Sequence, residues 1–207
     1  MDYKTWIEDM QSAALDDSED ISYNDDCYVL FIMTGHEKEA LQSIDIILDN
    51  KSVKPFLPTI ELPFRRRGIV KNEIKPMFPG YMFIRTKMPY EEFINKIFGC
   101  IRYSSYILKL LNYGGWQQVS MNHNERKMLE SLWKEKDENN NQNENTCIKS
   151  SKAIIEGDTV IVTEGPLKDK ESLLKKINRH KMQAVIEVEL FGENKEITVG
   201  LEIVKKI

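Results

Sequence analysis

The residues able to do chemistry in this 207-residue chain are mostly cations and aromatics, and they crowd into one region. Arg65, Arg66, Arg67, Lys71 and Lys75 share a short stretch opposed only by Glu73, and the segment FPGYMFIR, Phe78 to Arg85, follows at once. Cations beside an aromatic strand are the pattern of contact with nucleic acid, or with a machine that holds it. A bare arginine run suits sequence-independent phosphate contact better than the reading of bases. Other reactive groups do not assemble. His36, His123 and His180 are too separated for a metal triad, and Cys27, Cys100 and Cys147 lack the close pairing of zinc or disulfide sites. No Ser-His-Asp or Cys-His arrangement is implied, and GHEKEA and GPLKDKE lack the glycines and Lys-Ser/Thr ending of a phosphate loop. The expectation is a protein that is no enzyme, with no catalytic residue, cofactor or metal.

The elements that position these groups follow from spacing. Cys27 to Met33 is an apolar run of strand type, and Thr34-Gly35-His36-Glu37 has the spacing of a capping box. A helix follows with Ala40, Leu41, Ile44, Ile47 and Leu48 inward, ending at Asp49-Asn50. Prolines 55, 58 and 63 confine Lys54 to Phe64 to a sheet edge, and Arg65 to Lys75, with Gly68 and Asn72 as turn formers, reads as a projecting basic hairpin. In the next strand Tyr81 and Phe83 share one face, and Met82 and Ile84 the other. Both faces are apolar, so one packs inward and the other is held for a partner. Pro89 opens a second helix with Tyr90, Phe93, Ile94, Ile97 and Phe98 on its inner face. Tyr106 to Leu111 reads as a strand, and Asn122-x-x-Glu125 starts a third helix with Met128, Leu129, Leu132 and Trp133 inward. This order predicts an α+β domain over residues 27–133, with helices packed on one sheet.

Residues 134–153 contain an Asn-rich stretch with little to bury and read as a flexible linker. Beyond it Asp158 to Val162, Leu173 to Asn178, Gln183 to Leu190, Glu196 to Val199 and Glu202 to Val204 are short β-prone runs separated by turns, the pattern of a small five-stranded barrel over 154–207. The formal charge of −4 is uneven. Residues 1–26 form an acidic extension with Tyr3, Trp6, Ile7, Met10 and Ala14 at helical spacing, whereas the excess of bases lies within 27–133. No apolar run approaches the roughly 20 residues of a membrane span and no signal-peptide pattern is evident, so the expectation is a soluble, cytoplasmic monomer with no membrane partner.

Three stretches together resemble the NusG family of bacterial transcription elongation factors. They are the first strand CYVLFIMTGHE, the FPGYMF strand, and IIEGDTVIVTEGPLKDKE followed by VELFGENKEITVGLEIV, which is similar to a KOW domain. Within the family, KKINRHKMQAVIEVELFG with TVGLEIV looks most like the LoaP branch of processive antiterminators. An RNA-recognition motif, which sets aromatics at the same alternate positions, is disfavoured by Met82, Pro79 and Thr86.

The resemblance implies an amino-terminal domain that lays an apolar patch on the clamp region of the largest subunit of RNA polymerase. By that likeness Tyr81 and Phe83 face the clamp with Phe78 supporting them, and Thr34, Gly35 and His36 lie where relatives approach upstream DNA. The KOW barrel of relatives recruits a second partner, such as termination factor Rho or a ribosomal protein, through a loop that here includes Phe191 and Gly192. In LoaP-like proteins the barrel is expected to grip a hairpin in nascent RNA, with the turn Arg179-His180-Lys181 as the contact. Relatives usually carry Gly where this chain has Asp169 and Ser172, so a reshaped turn is expected there. The alternatives are a general elongation factor working through Rho or the ribosome, and an RNA-binding module independent of polymerase.

Overall fold

A computed structural model describes residues 25–48, 52–114, 119–133 and 146–206. The expected amino-terminal helix, the Asp49-Asn50 helix stop and most of the expected linker lie outside them. In chain order the elements begin β1 (Asp26–Ile32), α1 (Glu37–Ile47), β2 (Val53–Phe56), β3 (Thr59–Arg66) and β4 (Ile69–Pro76). They continue β5 (Tyr81–Thr86), α2 (Tyr90–Tyr103), β6 (Ile107–Leu110) and α3 (His123–Trp133). The carboxy-terminal part holds β7 (Cys147–Ile148), β8 (Ser151–Glu156), β9 (Thr159–Glu164), β10 (Leu174–Asn178), β11 (Gln183–Leu190) and β12 (Glu193–Lys206).

The chain divides into two compact units that are not contiguous in sequence. The first comprises residues 1–57 and 78–122, and the second 58–77 and 123–207. The first is a four-stranded antiparallel sheet in the order β2-β5-β1-β6 with α1 and α2 on one face. Alternation along β1 and β5 puts Tyr28, Leu30, Ile32, Met82 and Ile84 into a core shared with Ala40 and Ile44 of α1 and Phe93, Ile97 and Cys100 of α2. Tyr28 stacks on Phe93 at 4.1 Å. Burial raises the Tyr28 hydroxyl well above its ordinary pKa and pushes the Cys100 thiol up to about 11, so both stay protonated. Two expectations shift. Lys54 to Phe64 is not one strand but two, broken before Thr59, with β2 taking the sheet edge where Pro55 is tolerated. On α2 the buried stripe runs through Phe93, Ile97 and Cys100, which leaves Tyr90 in the open first turn and Phe98 rotated off the stripe.

The second unit holds two sheets and α3. β3 and β4 form a hairpin to which β7 adds in parallel, and β10-β11-β12-β8-β9 form a five-stranded sheet. Here the expectation of a linker through residue 153 is corrected, because Cys147–Ile148 is a strand beside Thr59 and Ile60, and β8 begins at Ser151. The runs expected at Glu196 to Val199 and Glu202 to Val204 are one strand, β12, which pairs antiparallel with β11 up to Gly200 and parallel with β8 from Leu201. Gly200 is not a break. A Cβ there would stand 2.6 Å from Ser150 Oγ and 3.0 Å from the Glu61 carbonyl oxygen, so only glycine lets β12 pass so close to β3.

Candidate nucleic-acid interface and aromatic face

Strand register places the sequence's aromatics on the sheet face opposite the helices. Phe56, Phe83 and Val29 lie in one cross-strand row, and Tyr81 and Phe31 with Lys109 in the next. The rings interlock: Phe31–Tyr81 at 5.3 Å, Phe56–Phe83 at 5.4 Å, Phe78–Phe83 at 5.8 Å and Phe78–Tyr81 at 6.3 Å. Each such pair contributes about 0.5–1.5 kcal/mol beyond its buried area. Tyr81 keeps part of its surface accessible, but Phe83 and Phe78 are buried, at 1% and 5% exposure. Phe83 therefore does not stand out from the sheet as its alternation suggested, since Phe56 and Phe78 flank its ring. Cations rim the cluster, with the Lys109 ammonium 5.8 Å from the Phe31 ring centre and the buried Arg85 guanidinium 4.5 Å from that of Phe56. Burial, with Arg85 opposite, pulls the Lys54 ammonium below its usual range.

The loop Thr34-Gly35-His36 is brought to the same end of this sheet. Gly80 turns at φ +82, and a Cβ there would meet Thr34 Oγ1 at 2.8 Å, so the loop packs directly on the turn leading into Tyr81. The Ile32 N–H donates to the Gly80 carbonyl at 2.8 Å, fixing the two chains. His36 stacks on Tyr106 at 4.9 Å with Nδ1 3.8 Å from Glu39 Oε2, while Thr34 and Gly35 are exposed. The helix starts at Glu37 rather than after Thr34, and the Glu37 carboxylate accepts from the Gly35 N–H at 3.2 Å. The capping-box glutamate is thus used one residue later than its spacing implied.

In the second unit the basic stretch is a regular hairpin. Arg66 pairs with Ile69, and the two turn residues Arg67 and Gly68 sit at φ 52 and 81, the geometry of a two-residue hairpin turn with both φ positive. Arg65, Arg67 and Lys71 are exposed, whereas Lys75 pairs with Glu73 at 3.0 Å and Asn72 donates to Glu61 at 2.6 Å. Two residues at the tip were missed from the sequence: Ile69 is 61% and Val70 44% exposed. Their position between Arg67 and Lys71 marks them as contacts for a sugar or base face.

The turn Arg179-His180-Lys181 belongs to this same unit. The Asn178 side chain accepts from the Lys181 N–H at 3.0 Å and Met182 sits at φ 54, which closes the turn and leaves all three basic side chains exposed. Just beyond it, Gln183 Nε2 donates to the Pro63 carbonyl at 3.1 Å, joining the start of β11 to the basic hairpin. Phe191 and Gly192, at φ 52 and 73, form the two-residue turn between β11 and β12, and Phe191 is buried. Their N–H groups donate to Glu125 of α3, at 3.3 Å to Oε2 and 2.9 Å to Oε1. At the departures from the family pattern, Asp169 takes the left-handed conformation (φ 62) and Ser172 falls in a short 3-10 turn, where no glycine is needed.

Among the described residues no group of three or more His, Cys, Asp or Glu side chains is placed to hold a metal ion, and no helix is long and apolar enough to cross a membrane. Comparison with known proteins adds two findings. A family model described as transcription termination factor NusG matches residues 25–130. The transcription termination/antitermination protein NusG of Thermus thermophilus is 26% identical over 188 residues, covering 86% of this chain and 97% of that protein.

Proposed function

This chain belongs to the NusG family, a family of transcription factors rather than enzymes, and on that premise we propose that it is a processive antitermination factor of the LoaP kind. The first unit docks on the clamp region of the largest subunit of RNA polymerase through Tyr81, with Phe78 and Phe83 stiffening the platform beneath it. Thr34, Gly35 and His36 lie toward upstream DNA. The exposed cations of the β3–β4 hairpin neutralise phosphates, and the five-stranded sheet, as a KOW domain, holds a nascent RNA hairpin at Arg179, His180 and Lys181.

The observation that carries this reading is the half-accessible Tyr81, seated on interlocked rings next to the Thr34-Gly35-His36 loop. An aromatic ring backed by rigid neighbours loses little freedom on docking, which suits it to anchor an interface. Tyr81→Ala is expected to weaken co-purification with polymerase by more than tenfold while shifting the melting temperature by no more than a few degrees. A collapse in melting temperature would make Tyr81 a core residue instead. Arg179→Ala combined with Lys181→Ala is expected to weaken RNA-hairpin binding and leave polymerase binding unchanged, and a parallel loss of polymerase binding would put the two functions on the wrong units. The general elongation factor remains the second reading, favoured by the near-complete span of the Thermus relative.

A further inference from the structure

The β11–β12 turn is built as an anion receptor, and its occupant is visible. Two consecutive residues with positive φ, Phe191 and Gly192, turn their N–H groups to the same side, which makes a concave nest of partial positive charge. Both oxygens of one carboxylate fill it, from Glu125, 66 and 67 positions earlier in the chain. Glu125 is only 7% exposed and Phe191 8%, so these hydrogen bonds are shielded from water and charge-assisted. Nothing local requires the pairing. A two-residue hairpin turn closes without an anion, and the first turn of α3 would favour Glu125 by its dipole wherever the side chain pointed.

We propose that the Phe191–Gly192 turn is a carboxylate-recognition site, filled in the free chain by Glu125 and taken over by a glutamate or aspartate side chain of a protein partner when α3 lets go. The inference rests on the reading of this sheet as a partner-recruiting domain. The turn opens to solvent on its β12 side, where Glu193 is 72% exposed and its charge is offset by Lys195 at 2.6 Å. An incoming acidic side chain therefore meets no unbalanced carboxylate at the mouth. The nest selects charge and two acceptors, so an amide of the same shape, which offers one acceptor, fits poorly. Glu125 acts here as an internal competitor that sets the concentration of partner needed.

The test uses the full isotope-labelled chain as wild type, Glu125→Gln and Glu125→Ala, with the Phe191 and Gly192 amides followed by NMR. The probes are the peptides acetyl-Gly-Glu-Gly-amide and acetyl-Gly-Gln-Gly-amide. In Glu125→Ala both amides are expected to move upfield and to exchange at least about tenfold faster, as loss of a charge-assisted bond requires. The glutamate peptide then returns them downfield, the glutamine peptide does not, and neither moves the wild type. Equal response to both peptides, or none in either variant, overturns the receptor. If Glu125→Ala does not fold, Glu125→Gln carries the same readout at smaller amplitude. Polymerase co-purification of the same variants separates the two readings: loss of the peptide response with polymerase binding intact sinks only the receptor. A normal peptide response with no polymerase binding by wild type sinks only the functional reading.

Discussion

Two turns in the second unit share a backbone and differ in what they hold. Arg67-Gly68 and Phe191-Gly192 both join antiparallel strands through two residues of positive φ, an L-residue followed by glycine. The carboxy-terminal turn has a buried aromatic and an internal carboxylate in its nest, whereas the hairpin tip is exposed and flanked by Arg65, Lys71, Ile69 and Val70. The same local geometry is thus a satisfied structural joint in one place and an open cationic tip in the other. What distinguishes them is the surroundings: removing the partner should cost stability at one turn and ligand affinity at the other.

Replacing Arg65, Arg67 and Lys71 together by alanine should weaken binding to duplex or single-stranded DNA about a hundredfold at low salt and lower the slope of log K against log salt by roughly 2–3. The melting curve should not move, because exposed cations away from pairs contribute little to folding. Unchanged salt dependence would show that the tip does not touch phosphate. Glu125→Ala should do the reverse, costing about 2 kcal/mol of stability by thermal or urea denaturation with no change in DNA affinity. The smallest effect separates the turns by their first residues. Arg67→Asn, which suits a left-handed position, should leave stability within about 0.5 kcal/mol, and a larger loss would reveal an unsuspected structural role for the tip.

The contrast also marks what the sequence made legible. Period-two alternation placed Met82 and Ile84 in the helix-covered core and Tyr81 and Phe83 on the other face, and prolines confined β2 to an edge. Alternation assigns a face but not what lies around it, so the burial of Phe83 between Phe56 and Phe78 was invisible. The basic hairpin was legible from Gly68 and its cations. Ile69 and Val70 were not, because β-branched residues at a strand start resemble core. β7 is two residues paired in parallel with a distant hairpin, and no local pattern signals that. Gly200 was read as a punctuation mark, although its lack of a side chain answers a close approach from Ser150 and Glu61. Glu125 carried the signal of a helix start, and its long-range partners left no trace in spacing.

The central claim is that this NusG-family chain acts on transcribing polymerase and is recruited by RNA. In vitro transcription with purified polymerase across a terminator, with and without the leader of the operon it regulates, tests that most directly. The account predicts readthrough that needs both the protein and the leader, and that is lost with Tyr81→Ala. Readthrough or altered pausing independent of the leader would contradict RNA recruitment, and no effect on transcription at all would contradict the polymerase reading itself.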